Sequence, residues 1–452
     1  MKPEIALFTR REFLHRSVLG AALAPTWPAF VARTLSALGA ETKARATQVV
    51  TGADSPILVI LQMAGGNDGL NTVVPFGNDF YLRARPRLAL DATKVLKLND
   101  ELGVHPALTG FKELYDSGHL AIVQGVGYPN PNRSHFRSTE IWQTACDADR
   151  VASEGWLGRY FDHTCSGCDP TVAVSVGRQM PQALSAKTPI GVSLEAPRNY
   201  RFLDEDHPPD GQIGTMEKTF RELNQVFEGG AAAQTQTAEM ENSGATIGAL
   251  SGSARNAGSA LDFLERTALD AQVSSDRIRE IVGRDQGPTS YPVSRLGNSL
   301  KLVSRLIAGG LPTRVFYVSQ GGYDTHTNQS NTQARLLKEL GDAVQAFVAD
   351  LKAQGNLSRV LLMTFSEFGR RVSENASGGT DHGAAAPVFL VGDRLNGGLL
   401  GRYPSLAPTD LFQGDLKHHV DFRSVYAGIL ETWLHTDSTT ILRKKFEPLR
   451  FM

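Results

Sequence analysis

Short runs of branched apolar residues, separated by stretches with helical spacing, constrain this chain more than any other feature. Residues 56–63, 120–123, 313–319, 360–363 and 387–392 have the length and composition of buried strands. Residues 106–117, 295–308 and 332–353 carry apolar positions at helical spacing. Strands that alternate with helices predict an α/β protein with a central, mostly parallel sheet flanked by helices. In such sheets ligands and reactive groups collect beyond the carboxyl ends of the strands. The loops at those ends are rich in glycine, acid and histidine: Gly65-Gly66-Asn67-Asp68-Gly69, Gly322-Tyr323-Asp324-Thr325-His326, Ser366-Glu367-Phe368-Gly369-Arg370, and Gly379-Thr380-Asp381-His382-Gly383 just before the last run.

The 452 residues suffice for a large core, and 41% hydrophobic with 21% charged residues is ordinary for a globular chain. A net charge of -1 gives no electrostatic reason to expect nucleic acid as a partner. The organisation expected is a signal and linker over residues 1–43, an α/β unit in two parts (44–210 and 291–452), and a helical insertion or cap over 211–290. Within that insertion, 220–227 and 261–271 read as helices and 229–253 as a flexible connection rich in Ala, Gln, Thr, Ser and Gly. Arg10 and Arg11, followed by Phe13-Leu14 and a weakly apolar stretch over 18–31, resemble a twin-arginine export signal, with cleavage expected near Ala40. That stretch is too short for a comfortable membrane span. The expected address is therefore periplasmic or secreted, with the twin-arginine machinery as a partner. Cys165 and Cys168 suit a small disulfide in an oxidising compartment, which leaves Cys146 unpaired.

Taken one at a time, the loops have plainer readings. Asp68-Gly69 reads as a turn, Ser134 as the cap of a helix running through Trp142, Asp324 to His326 as a polar loop, and Asp381-His382 as a solvated turn. Their order along the chain is more telling. With Ser134-His135-Phe136 and Asp421-Phe422-Arg423-Ser424-Val425-Tyr426, they resemble the exported bacterial family called domain of unknown function 1501 over essentially the whole mature chain. That family resembles the alkaline phosphatase and sulfatase superfamily.

The resemblance implies roles residue by residue. Asp68 matches a first-strand aspartate that bridges metals, and Ser134 the nucleophile ahead of a helix. Asp324 and His326 resemble an Asp-and-His ligand pair, Glu367 stands where an aspartate ligand is usual, and His382 matches the last metal-binding histidine, with Asp381 beside it. Phe368 stands where that superfamily has another histidine, which removes one expected ligand. Arg133 and Arg370 are candidates to offset charge on a transferred group. The function expected is that of an exported metal-dependent hydrolase of phosphate or sulfate esters. It would act on a small anionic ester with a divalent ion, zinc or manganese in preference to calcium. The alternative is a secreted binding or assembly protein that keeps the fold with a degenerate metal site.

Overall fold

The computed structural model describes residues 55–165, 168–187, 190–195, 276–283 and 289–452. The paired arginines, the cleavage point and nearly all of the 211–290 insertion lie outside the described residues, apart from a helical stretch at 276–283 and residues 289–290. Strand β1 (Ile57–Ala64) leads into a small side sheet of β2 (Val73–Val74), β3 (Leu96–Lys97) and β4 (Gly103–Val104). Helix α1 (Thr109–Asp116), β5 (Leu120–Gly127), α2 (His135–Thr144), α3 (Trp156–Thr164), β6 (Ala173–Val176) and β7 (Val192–Leu194) follow. The second half holds α4 (Arg295–Ala308), β8 (Val315–Gly321), α5 (Gln329–Ala353), β9 (Val360–Phe365), β10 (Ala386–Val391), β11 (Gly398–Leu400), β12 (Val420–Asp421) and α6 (Phe422–Gly428). The predicted α/β class and the mostly parallel, helix-flanked sheet are what the chain adopts.

The main sheet runs in the order β11-β5-β10-β9-β1-β8-β6-β7, with β12 also beside β5. β1 pairs in parallel with β8 and β9, and β6 in parallel with β7 and β8. Only β10 runs against its neighbours β5 and β9. β1 shows why these runs sit in the centre. Ile57, Val59, Leu61 and Met63 face one core layer with α1, α4 and α5, while Leu58 and Ile60 face a second layer with α2, α3 and α6. A strand buried on both faces must be apolar at every position, so it reads as a continuous run.

The reversed β10 matters for the site. Its register sets Ala386 opposite Val126 and Val391 opposite Leu120. Its first residues therefore lie at the edge where β5 ends, and the loop before it reaches the same edge as the loops that follow β1, β8 and β9. A register shift between Ala386 and Val388 accommodates Pro387, which has no N–H for the ladder. Cys165 and Cys168 are disulfide-bonded and Cys146 is a free thiol. Among the described residues no helix is long and apolar enough to cross a membrane.

Candidate metal centre

The loop after β1 is held close to its neighbours by two glycines with positive φ. A Cβ on Gly65 (φ 120°) would lie 2.5 Å from the Asp324 nitrogen, and one on Gly66 (φ 78°) 2.2 Å from the Phe368 ring. Any side chain there would push the loops after β1, β8 and β9 apart. Arg370 ties the same loops from beneath. Its fully buried guanidinium donates to the carbonyls of Gly66 (2.7 Å), Gly65 (2.6 Å), Tyr323 (3.0 Å) and Thr380 (2.8 Å), and to Asp324 Oδ1 (2.7 Å).

Three imidazoles converge on Asp324. The Nε2 atoms of His326 and His382 stand 3.0 and 3.1 Å from its Oδ1, and 3.0 Å from each other. His135 Nε2 stands 3.5 Å from its Oδ2. The far nitrogen of each ring meets an oxygen. His382 Nδ1 donates to the Arg133 carbonyl (2.8 Å), His135 Nδ1 to Glu367 Oε1 (2.8 Å) and His326 Nδ1 to Asp381 Oδ1 (3.1 Å). A carbonyl or carboxylate oxygen only accepts, so the proton sits on Nδ1. A neutral ring then turns its Nε2 lone pair inward. Lone pairs and a carboxylate at these distances repel one another unless a cation lies among them.

That arrangement fits a metal ion on three counts. Imidazole nitrogens backed by carboxylate or carbonyl acceptors are the usual form of metal-ligating histidine. Donor atoms of His135, Asp324 and His382 all lie within 4.8 Å of one another, close enough to share one ion. The buried Nε2 of His135 has no hydrogen-bond partner, nor does the buried Oε2 of Glu367. A mixed nitrogen and oxygen set suits zinc or manganese better than calcium. Burial alone would raise the Asp324 carboxyl, but the hydrogen bond and the positive charge of Arg370 hold it down at about 2, so it is an anion at any ordinary pH.

Of the six expected ligands, Asp324, His326 and His382 meet at this point. Glu367 and Asp381 stand one layer behind, as acceptors for His135 and His326; Glu367 Oε1 also accepts the Gly65 N–H (2.8 Å), and Asp381 Oδ1 that of Asn375 Nδ2 (3.2 Å). Asp68 is a correction. Its carboxylate is buried against Arg85, with contacts of 2.6 and 3.0 Å, and takes further donors from Gln329 Nε2 and Leu70 N. Gln329 in turn accepts from Thr325 Oγ1 (3.2 Å) and Thr380 Oγ1 (2.6 Å), so Asp68 braces the ligand loops from below.

Two of the three catalytic candidates are also consumed internally. Arg133 grips Asp415 Oδ2, and Arg370 is the buried clamp already described. Ser134 does stand at the N-terminus of α2, exposed, with no capping bond from its side chain. Phe368, in the position read as a missing histidine, packs under the cluster with its ring centroid 4.5 Å from His382 and 4.9 Å from His135. His135 is the donor that sequence reading passed over. It lies in the motif Ser134-His135-Phe136, but its partner Glu367 is 232 residues away.

Fold and site together define an α/β protein with a histidine-rich candidate metal centre on the carboxyl edge of its sheet. The family described as "Protein of unknown function (DUF1501)" matches residues 56–443, and the chain belongs to it. No curated protein matches the chain. Solved structures similar to it include the PsFucS1 sulfatase from Pseudoalteromonas sp., at 10% identity and TM-score 0.31, over 84% of this chain and 70% of that one. The C-terminal periplasmic domain of EcEptC from Escherichia coli, in complex with Zn, is similar at 11% and 0.33, over 77% and 75%. A phosphonate monoester hydrolase of Agrobacterium radiobacter is similar at 11% and 0.29, over 87% and 79%. Likenesses this distant assign no activity to this chain.

Proposed function

We propose that the chain is an exported, metal-dependent hydrolase of phosphate or sulfate esters, with one divalent ion held by His135, Asp324 and His382, and His326 beside them. The observation that carries this reading is the matched orientation of three imidazoles, each with Nδ1 on an acceptor and Nε2 toward Asp324. Zinc or manganese bound there would supply Lewis acidity to an ester oxygen. Glu367 and the Arg133 carbonyl keep two of the rings in the ligating tautomer, and Arg370 fixes the carboxylate. Ser134 has an exposed hydroxyl at a helix N-terminus, where unpaired N–H groups favour negative charge, and it is the nucleophile in this proposal. Export rests on the paired arginines of the N-terminal segment.

A second reading, an exported binding or assembly protein, is favoured by one observation: the guanidiniums of Arg133 and Arg370 are both spent on internal partners. A panel of aryl phosphates and aryl sulfates, offered to protein reloaded with zinc or manganese, separates the two. The hydrolase reading expects turnover in wild type, loss in Ser134→Ala with the metal retained, and loss of both in His382→Ala. Metal-loaded protein inert toward every ester would favour the second reading.

A further inference from the structure

We propose that Asp415 is a positioning residue for the centre: by gripping Arg133 it aims His382 and seats His135. The inference rests on the metal reading above. Asp415 is completely buried, and its Oδ2 receives Arg133 Nε at 2.9 Å and Nη2 at 2.5 Å. Its Oδ1 makes no hydrogen bond, and Arg371 Nε stands 3.8 Å off. A buried carboxylate satisfied on one oxygen only is a costly way to secure a loop, because desolvation opposes the gain from pairing.

What the pair secures is specific. Residues 128–134 form no regular secondary structure and include Pro129 and Pro131, which have no backbone N–H to donate. Within the segment, Asn132 N donates to Tyr128 Oη (3.0 Å) and Ser134 N to Asn132 Oδ1 (2.8 Å), and Tyr128 Oη also meets Ser138 Oγ of α2 (2.7 Å). The Arg133 side chain ties it to a distant turn, closed by Phe412 N to Asp415 O (2.9 Å) and Asp415 N to Phe412 O (3.0 Å). The Arg133 carbonyl accepts the Nδ1–H of His382, and His135 follows two residues later. One ion pair thus governs two of the three imidazoles. Turning the carbonyl away would free the His382 ring to change tautomer and lose the inward lone pair.

The test compares Asp415→Asn, Arg133→Gln and the double variant by zinc competition against a chelator, with thermal unfolding of the metal-free proteins as a control. Removing a partner that orients a ligand lowers metal affinity by about 10–100-fold. Each single variant should weaken zinc by about tenfold, and the double variant no more than the weaker-binding single. In metal-free protein, 15N NMR should show His382 held as the Nδ1–H tautomer in wild type and as a mixture in both single variants. Because Arg133 is one-third exposed, Arg133→Gln still decides the matter if Asp415→Asn does not fold. Unchanged zinc affinity and tautomer, even with lowered stability, would overturn the proposal, and so would losses that multiply in the double variant. Wild type that binds no zinc would sink the metal reading instead, and the tautomer spectra of the metal-free proteins would still decide whether Asp415 aims His382.

Discussion

Asp68 and Asp324 are both aspartates at the end of a parallel strand, yet they do different work because of what stands opposite. Asp324 faces three imidazoles at 48% side-chain exposure, whereas Asp68 is sealed against Arg85 with both side chains at 1% exposure or less. Asp68→Asn therefore leaves a buried guanidinium without its counterion, which costs about 3–5 kcal/mol. Urea unfolding should show that loss, while the folded fraction still binds zinc with the wild-type stoichiometry; loss of zinc from the folded fraction would return Asp68 to the ligand set. His105 gives a pH dependence. Burial, partly offset by the charge of Asp68, lowers its imidazole to about 4, and the neutral ring accepts the Ala107 N–H at Nδ1 (3.0 Å). The unfolded ring titrates near 6.5, so between 6.5 and 4 the unfolded state binds more protons. Stability is then full above 6.5 and falls as the pH drops toward 4. Between pH 7 and 5 that amounts to about 2 kcal/mol, which His105→Asn should remove from the difference between the two urea midpoints.

At the scale of elements, the apolar runs were legible because a strand buried on both faces has no polar position to interrupt it. β9 is the clearest case, with Val360 and Leu362 in one core layer and Leu361, Met363 and Phe365 in the other. Leu362→Ala should cost about 2–5 kcal/mol through lost burial and the cavity left behind, read by denaturant unfolding. A cost within error of zero would place that segment outside the core. Asp324, His326 and His382 were legible for a related reason: glycine-rich loops bounding such runs stand out by composition. Strand direction was not. A run of apolar residues after a turn looks the same in either sense, and only pairing with β5 and β9 shows β10 reversed. That reversal is what brings His382, ahead of a strand, to the edge where Asp324 follows one. His135 and Arg85 escaped notice because nothing in their local pattern points to Glu367, 232 residues away, or to Asp68, 17 residues back across two short helices and β2.

At the scale of the whole molecule, the proposed centre gathers segments spread from His135 to His382 around one ion. Their convergence depends on the sheet, on the glycines that let the loops touch, and on Arg370 beneath them. Nothing about it is local, so a measurement of the assembled centre tests it better than any single substitution. Zinc K-edge X-ray absorption of the zinc-loaded wild-type protein is that measurement. The zinc-loaded protein should hold one zinc per chain, with a shell of about three imidazole nitrogens and carboxylate oxygen at about 2.0–2.2 Å. A zinc shell made of oxygen alone, or protein that takes up no zinc, would contradict it.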